Sequence, residues 1–235
     1  MKDIIDELTA VHRAVGTRRI PAGEGRTVKL SRRYRAPVAD VWDAITDPDR
    51  IRRWFLPVTG DFRLGGSYQL EGNAGGKIMQ CEPPHLLVVT WVFGENPSES
   101  DVTEVRVRLT GDGDETTLEL EHASVVDPDR WTEFGPGAVG VGWDLTLLGL
   151  AMYLRGEIIE DPQERAALAF SPEGRQFITE SSRAWGEAHA ASGGSPEEVA
   201  TAVKNTTAFY APPIDPPTDP QADTQADTQA DPAGA

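Results

Sequence analysis

The stretch from Phe134 to Gly156, FGPGAVGVGWDLTLLGLAMYLRG, constrains the chain more than any other. Between Val139 and Leu154 it holds one charged residue, Asp144. Its apolar residues cover every side of a helical wheel: Val139, Trp143, Leu147, Leu150 and Leu154 on one side, Val141, Leu145, Leu148 and Met152 on another. A helix that is apolar all round is buried in a core or spans a membrane. A span needs about 20 predominantly apolar residues; this run is shorter, contains Asp144 and is rich in glycine. The expectation is a core helix gripped by a larger element, not a membrane span. Gly142, Gly149 and Gly156 recur seven apart, with Thr146 between the first two, and so share one face. Glycine inside a helix costs roughly 1 kcal/mol against alanine. Such a face serves either close approach to a sheet or room for a ligand.

The elements before this helix follow from periodicity. Ile4, Ile5, Leu8, Val11 and Val15 recur at helical spacing and stop at Gly16, which predicts a short amphipathic helix followed by a turn-rich connector over 18–25. Thr27 to Arg35 reads as a strand. Pro37 suits a first helical position, and Val38, Val41, Trp42 and Ile45 follow at helical spacing. Asp47 caps a second short helix whose Ile51, Trp54 and Phe55 face inward; Pro57 ends it.

Strands come next: a short one over Asp61 to Leu64, a Gly65-Gly66 hairpin turn, then Ser67 to Glu71 and Lys77 to Glu82. Leu86 to Phe93 is apolar on both faces, as a central strand should be. Gly94 to Asp101 is a polar loop. Val105, Val107 and Leu109, then Leu118, Leu120 and His122, alternate with polar or charged residues on either side of a Gly111 to Asp114 turn. That pattern predicts an antiparallel hairpin with one solvated face. Strand, two short helices, about six strands and one long apolar helix make an α+β fold: a curved antiparallel sheet wrapped around the helix.

After Gly156 three amphipathic segments follow, from Asp161, Ser171 and Ser195; the last opens with a capping box and proline at its first position. Phe177, Ile178, Ser181, Ala184, Trp185 and Ala188 share one face of the second. These helices need a partner surface: the outside of the same domain, a second copy in a homodimer, or the site they would cover as a lid. From Ala211 onward the chain is built of Pro, Asp, Ala, Thr and Gln, with five aspartates, no basic residue and Ile214 as its one large apolar side chain. It cannot bury enough surface to order itself. The expected organisation is therefore 1–24, helix and connector; 25–157, the sheet-and-helix domain; 158–210, a helical appendage; 211–235, a solvated tail.

Charge narrows the function classes. Of the formal −16, residues 1–53 contribute 12 basic against 8 acidic groups, +4, and the remainder 10 against 30, −20. A nucleic-acid binder needs a dense basic surface, so nucleic acid is not an expected partner. Met1 to Leu8 lacks the apolar core of a signal peptide, and the lone Cys81 cannot form an internal disulfide, which fits a reducing cytoplasm. His12, His85, His122 and His189 are scattered and imply no metal site. Nor do any fingerprints of a cofactor, phosphate loop or nucleophile occur.

Several of these pieces occur in the order of a known family. Val41-Trp42, Thr46-Asp47-Pro48, Trp54-Phe55-x-Pro57, the Gly65-Gly66 hairpin, Glu82-Pro83-Pro84, the strand closing on Thr90-Trp91 and the final helix resemble the family named for activators of the Hsp90 ATPase, in the START-like or SRPBCC superfamily. The resemblance covers roughly residues 25–157. It implies a helix-grip fold with a deep cavity between sheet and helix, lined from the strands by Tyr68, Leu70, Trp91, Phe93, Leu120 and His122. From the helix it implies Trp143, Thr146, Leu147 and Gly149. The superfamily includes lipid carriers, hormone receptors, polyketide cyclases and a co-chaperone domain, and fold alone does not choose among them. The leading expectation is non-catalytic binding of a small apolar molecule. The alternatives are a cyclase or dehydratase using His122 and Asp144 as an acid–base pair, and an interaction module of the co-chaperone type.

The tail generates the first test. Deleting residues 215–235 should leave the melting temperature unchanged within error, as read by differential scanning calorimetry; a drop of several degrees would show that the tail docks.

Overall fold

The computed structural model describes residues 4–94, 103–157, 159, 161–168 and 170–213. The expected polar loop after Gly94 and most of the acidic tail lie outside them. Eight strands form one antiparallel sheet: β1 Val11–Ile20, β2 Gly23–Tyr34, β3 Val58–Gly60, β4 Ser67–Leu70, β5 Gly75–Glu82, β6 Leu86–Trp91, β7 Thr103–Asp112 and β8 Glu115–Ser124. Their order is β1-β2-β8-β7-β6-β5-β4-β3. Helices α1 Ile4–Thr9, α2 Val38–Thr46, α3 Pro48–Ile51, α4 Pro128–Phe134, α5 Gly137–Leu154, α6 Pro162–Leu168, α7 Pro172–Ala191 and α8 Pro196–Tyr210 complete the fold. This is the α+β helix-grip architecture with extra C-terminal helices.

The sheet wraps α5 because its apolar residues alternate. Val28 and Leu30 of β2, Val89 of β6, Val105 and Leu109 of β7, and Leu118 and Leu120 of β8 share one buried cluster with Trp143, Leu147 and Leu150 of α5. A bulge in β5, where the pairing steps from Ile78–Val89 to Gln80–Val88 and leaves Met79 over, adds local twist. Asp47 caps α3, its carboxylate accepting from the Asp49 and Arg50 amides.

By length and composition α5 is apolar enough to cross a membrane, but half of it is buried inside the protein. Two layers cover it. The sheet takes one side, and α7 takes the other through Ile178, Trp185 and Ala188, which belong to the same core as Leu147. The predicted face of α7 is the buried one, apart from Ala184, which is half-buried. The apolar side of α7 that a second copy might have covered is thus occupied within the chain.

The N-terminus differs from expectation. The predicted helix ends at Thr9, and the predicted connector is the β1–β2 hairpin, paired from Val11–Arg32 to Ile20–Gly23. Val11 and Val15 are four apart, a spacing that suits one face of a strand as well as a helix. The edge of β2 decides in favour of pairing. The short strand expected at Asp61–Leu64 lies instead at Val58–Gly60, where it pairs with β4, and Pro37 is the cap of α2, one position before its first turn.

What fastens β1, α5 and α7 together is a buried carboxylate. Asp144 accepts from Arg13 Nε at 3.0 Å and Nη2 at 2.9 Å, from Ser181 Oγ at 2.6 Å and from Trp185 Nε1 at 3.0 Å. The side chains of Arg13 and Asp144 are 7% and 0% exposed. Removing one partner of such a pair leaves a buried charge uncompensated, at a cost of about 3–5 kcal/mol. Arg13→Met should therefore lower the urea midpoint sharply, and Asp144→Leu added to it should recover much of the loss. A midpoint unmoved by Arg13→Met would contradict the fastening role.

Candidate functional site

The register of the central strands aligns the site. Trp91 of β6 pairs with Thr103 of β7, and Val105 of β7 pairs with His122 of β8. Alternation puts Thr103 and Val105 on the same face, so Thr103 and His122 are diagonal neighbours across the strand pair. The α2–α3 segment lays Ile45, Ile51, Trp54 and Phe55 over one end of this face, and α5 closes it with Trp143, Thr146, Leu147 and Leu150.

Two chambers result. An inner cavity of about 210 Å³ lies between sheet and α5, walled mostly by aliphatic side chains such as Leu70, Val89, Val107 and Leu120. An outer cleft of about 910 Å³ opens beside it, bounded by Phe93, His122, Val139, Leu145 and, from α8, Tyr210. Trp54, Phe55, Trp91, Trp143 and Thr146 line both. The Trp91 and Trp143 rings stand 5.0 Å apart, tilted by 54°, and Trp54 stacks on Phe55 at 5.6 Å.

Many of the polar groups around this space already have partners. Thr46 and Thr146 donate to carbonyls one helical turn back, Trp42 O at 2.7 Å and Gly142 O at 2.8 Å. Tyr68 donates to Thr90 O at 2.8 Å, Trp54 Nε1 to Ala44 O at 3.0 Å and Tyr210 to Ala138 O at 2.7 Å.

His122 is held on both ring nitrogens. Trp143 Nε1 donates to Nδ1 at 3.0 Å, and Nε2 lies 2.7 Å from Thr103 Oγ1. Thr103 gives its one hydroxyl proton to Trp91 O at 2.6 Å, so toward His122 it accepts. The network assigns the neutral tautomer with its proton on Nε2. A second proton, on Nδ1, would face the Trp143 N–H. Burial likewise pushes the His122 pKa down to about 4.

The expected acid–base pair does not form. Asp144 follows Trp143 and points about 100° away around the helix, into the Arg13–Ser181–Trp185 cluster. Burial pushes its carboxyl up from the ordinary range, opposed by Arg13, Ser181 and Trp185. It lines neither chamber.

The other expected lining residues divide. Tyr68, Leu70, Leu120 and Leu147 line the inner cavity, Phe93 and His122 the outer cleft, and Trp91, Trp143 and Thr146 both. Gly149 lines neither: a Cβ there would stand 3.0 Å from the Trp54 carbonyl oxygen, so the glycine seats α5 against the turn that follows α3. Gly142 faces the Tyr210 hydroxyl, and Gly156, at φ +75°, lies beyond the helix end. The three glycines thus do three different things. Sequence reasoning passed over Thr103, which extending the Val105–Leu109 alternation by one step would have found, and Tyr210, which sits in a segment it treated as an appendage.

His122 gives the site a pH signature. The folded chain keeps it neutral down to about pH 4, whereas an unfolded histidine takes a proton near pH 6.5. The unfolded state therefore binds more protons between these values, and stability is full above about pH 6.5 and falls as pH drops toward 4, by on the order of 3 kcal/mol. Burial lowers His189 in the same direction, so a residual slope remains without His122. His122→Gln should flatten the acid-side fall in melting temperature across this window; an unchanged slope would show that His122 is not held neutral.

Residues 35–155 match the model of the family described as Activator of Hsp90 ATPase homolog 1-like protein. Among solved structures, the crystal structure of CalU16 from Micromonospora echinospora is 41% identical, covers 76% of this chain and 98% of its own, and superposes with a TM-score of 0.60. Its solution structure is 42% identical over 79% of this chain and 97% of its own, with a TM-score of 0.65. DynU16, from the dynemicin biosynthetic locus, is 27% identical over 55% of this chain and 47% of its own, with a TM-score of 0.48. No curated protein matches the sequence. With the family model spanning just over half of the chain, and a relative above 40% identity covering more than three quarters of it, this protein belongs to the Activator of Hsp90 ATPase homolog 1-like family.

Proposed function

We propose that the protein binds a small apolar molecule in the space between sheet and α5 and does not transform it. One observation carries this reading. The walls are mostly aliphatic and aromatic, with the exposed Arg52 and Glu71 and the half-buried Asn73 bounding only the outer cleft, and the histidine among them has both ring nitrogens engaged by the protein itself. General acid–base chemistry needs a titratable group within reach of the substrate and poised near the working pH. His122 is neutral, and its lone pair is already accepting. Binding sites for small molecules measure about 300–1,000 Å³ and are mostly apolar, a range that includes the outer cleft at about 910 Å³. The affinity comes from removing apolar surface from water, about 25 cal/mol per Å².

The test uses 1-anilinonaphthalene-8-sulfonate. The parent protein should bind it saturably at one site, with a blue-shifted emission. Thr146→Trp, which fills the junction of the two chambers, should weaken that binding at least about tenfold, or 1.4 kcal/mol, with the melting temperature within a few degrees of the parent. Native mass spectrometry of protein from its own host should show an apolar molecule that is released chemically unchanged. Absence of saturable probe binding by the parent would end this reading.

A further inference from the structure

The geometry points to Thr103 and His122 as positioning residues of this site: they fix the Trp143 indole in the wall between the two chambers and so control which apolar molecules reach the inner cavity. The inference rests on the binding reading above.

Trp143 borders both chambers, as does Trp91, and the two rings lie 5.0 Å apart. With Trp54, Phe55 and Thr146 they make up the wall common to both. The indole of Trp143 is buried, and its orientation is set by where its N–H finds an acceptor. That acceptor is His122 Nδ1 at 3.0 Å. Nδ1 accepts only while the ring proton sits on Nε2, and Thr103 keeps it there by accepting at 2.7 Å. Thr103 accepts because its own proton goes to the Trp91 carbonyl at 2.6 Å. The chain therefore runs one way, from Trp143 N–H through imidazole and hydroxyl to the backbone of Trp91. Hydrogen bonds in such a chain polarise and strengthen one another. Both rings are thereby pinned to one point on β6.

Thr103 is the remote lever. It touches neither chamber, yet without its hydroxyl the buried Nε2–H loses its acceptor and only the Trp143 N–H at Nδ1 still favours this tautomer. In the other tautomer, Nδ1–H faces Trp143 N–H, two donors meet, and the indole must turn. The common wall then loosens although no wall residue has changed. The inner cavity, at about 210 Å³, is of a size to hold one small ring; an engineered apolar cavity of about 150 Å³ in another protein takes up benzene.

The experiment follows fluorobenzene by ¹⁹F NMR, with the naphthalene probe as a control for the binding reading. The parent should bind fluorobenzene in slow exchange. Thr103→Val, which keeps the shape and removes the hydroxyl, should speed exchange at least about tenfold, the scale of one lost hydrogen bond. It should also reduce the near-ultraviolet circular dichroism of the Trp91–Trp143 pair. Thr103→Ser should restore both. In a Trp143→Phe background, where the ring has no N–H, Thr103→Val should change the exchange rate no further. A folded Thr103→Val protein with parental exchange and dichroism overturns the proposal, as does an equal effect of Thr103→Val in the Trp143→Phe background. A parent that binds the naphthalene probe but not fluorobenzene overturns it while leaving the binding reading intact. A parent that binds neither overturns both.

Discussion

A carboxylate buried where water cannot reach it must be surrounded by donors, and that requirement organises this molecule. Asp144 has 0% side-chain exposure. Its four hydrogen bonds come from three residues on two other elements: Arg13 on β1, and Ser181 and Trp185 on α7. Arg13 in turn donates to the carbonyls of Val11 and Leu8, which fixes the turn between α1 and β1. A second cluster, the buried Glu7–Arg32 pair joined by the partly exposed Arg155, clasps α1 to β2 and to the end of α5. A buried ion pair adds little net stability compared with apolar packing, but it tolerates few alternative arrangements. The α1–β1 segment and α7 are thus seated on one helix in one register.

The same arrangement decides what the site can do. Neighbouring positions on α5 face different ways, so Trp143 looks into the chambers and Asp144 away from them. The charge on the core helix therefore serves architecture, and the cavity side stays apolar. Gly140 supports the division from the other direction. A Cβ there would run into the Trp185 indole, so the glycine lets α7 approach closely enough for Trp185 to reach Asp144.

Much of this was legible beforehand, and the gaps have physical causes. Strands β4, β7 and β8 show alternation, β6 a run apolar on both faces and α5 an apolar circumference, each a local pattern that burial requires. The β1 strand does not stand out in this way, since Val11 and Val15 fit both periods and the deciding partner is Arg32 and its neighbours on β2. Asp144 was recognised as unusual, but Arg13 lies 131 residues away, and no spacing rule reaches that far. Gly149 was misassigned because a glycine face signals only that something comes close, not what. Here the neighbour is the carbonyl of Trp54, an atom with no sequence signature at all. His122 was placed on the right face, while its role depended on Thr103, whose importance lies in hydrogen-bond direction, not residue pattern.

Under the proposed binding role, that direction matters for specificity. A cavity whose donors are committed to the protein has few polar groups left to offer a ligand. Recognition then rests on shape, because apolar burial is non-directional and scales with area. One extra or missing methylene in an apolar pocket is worth only about 1–3 kcal/mol, so an apolar wall that moved would discriminate poorly. Sharp selection among apolar molecules requires walls that stay where they are. In this fold two polar networks hold the walls: the Thr103–His122 chain on the sheet side, whose His122 borders the outer cleft, and the Arg13–Asp144 pair on the helix side, which lines neither chamber. The buried polar network is what allows an otherwise greasy cavity to have a definite shape.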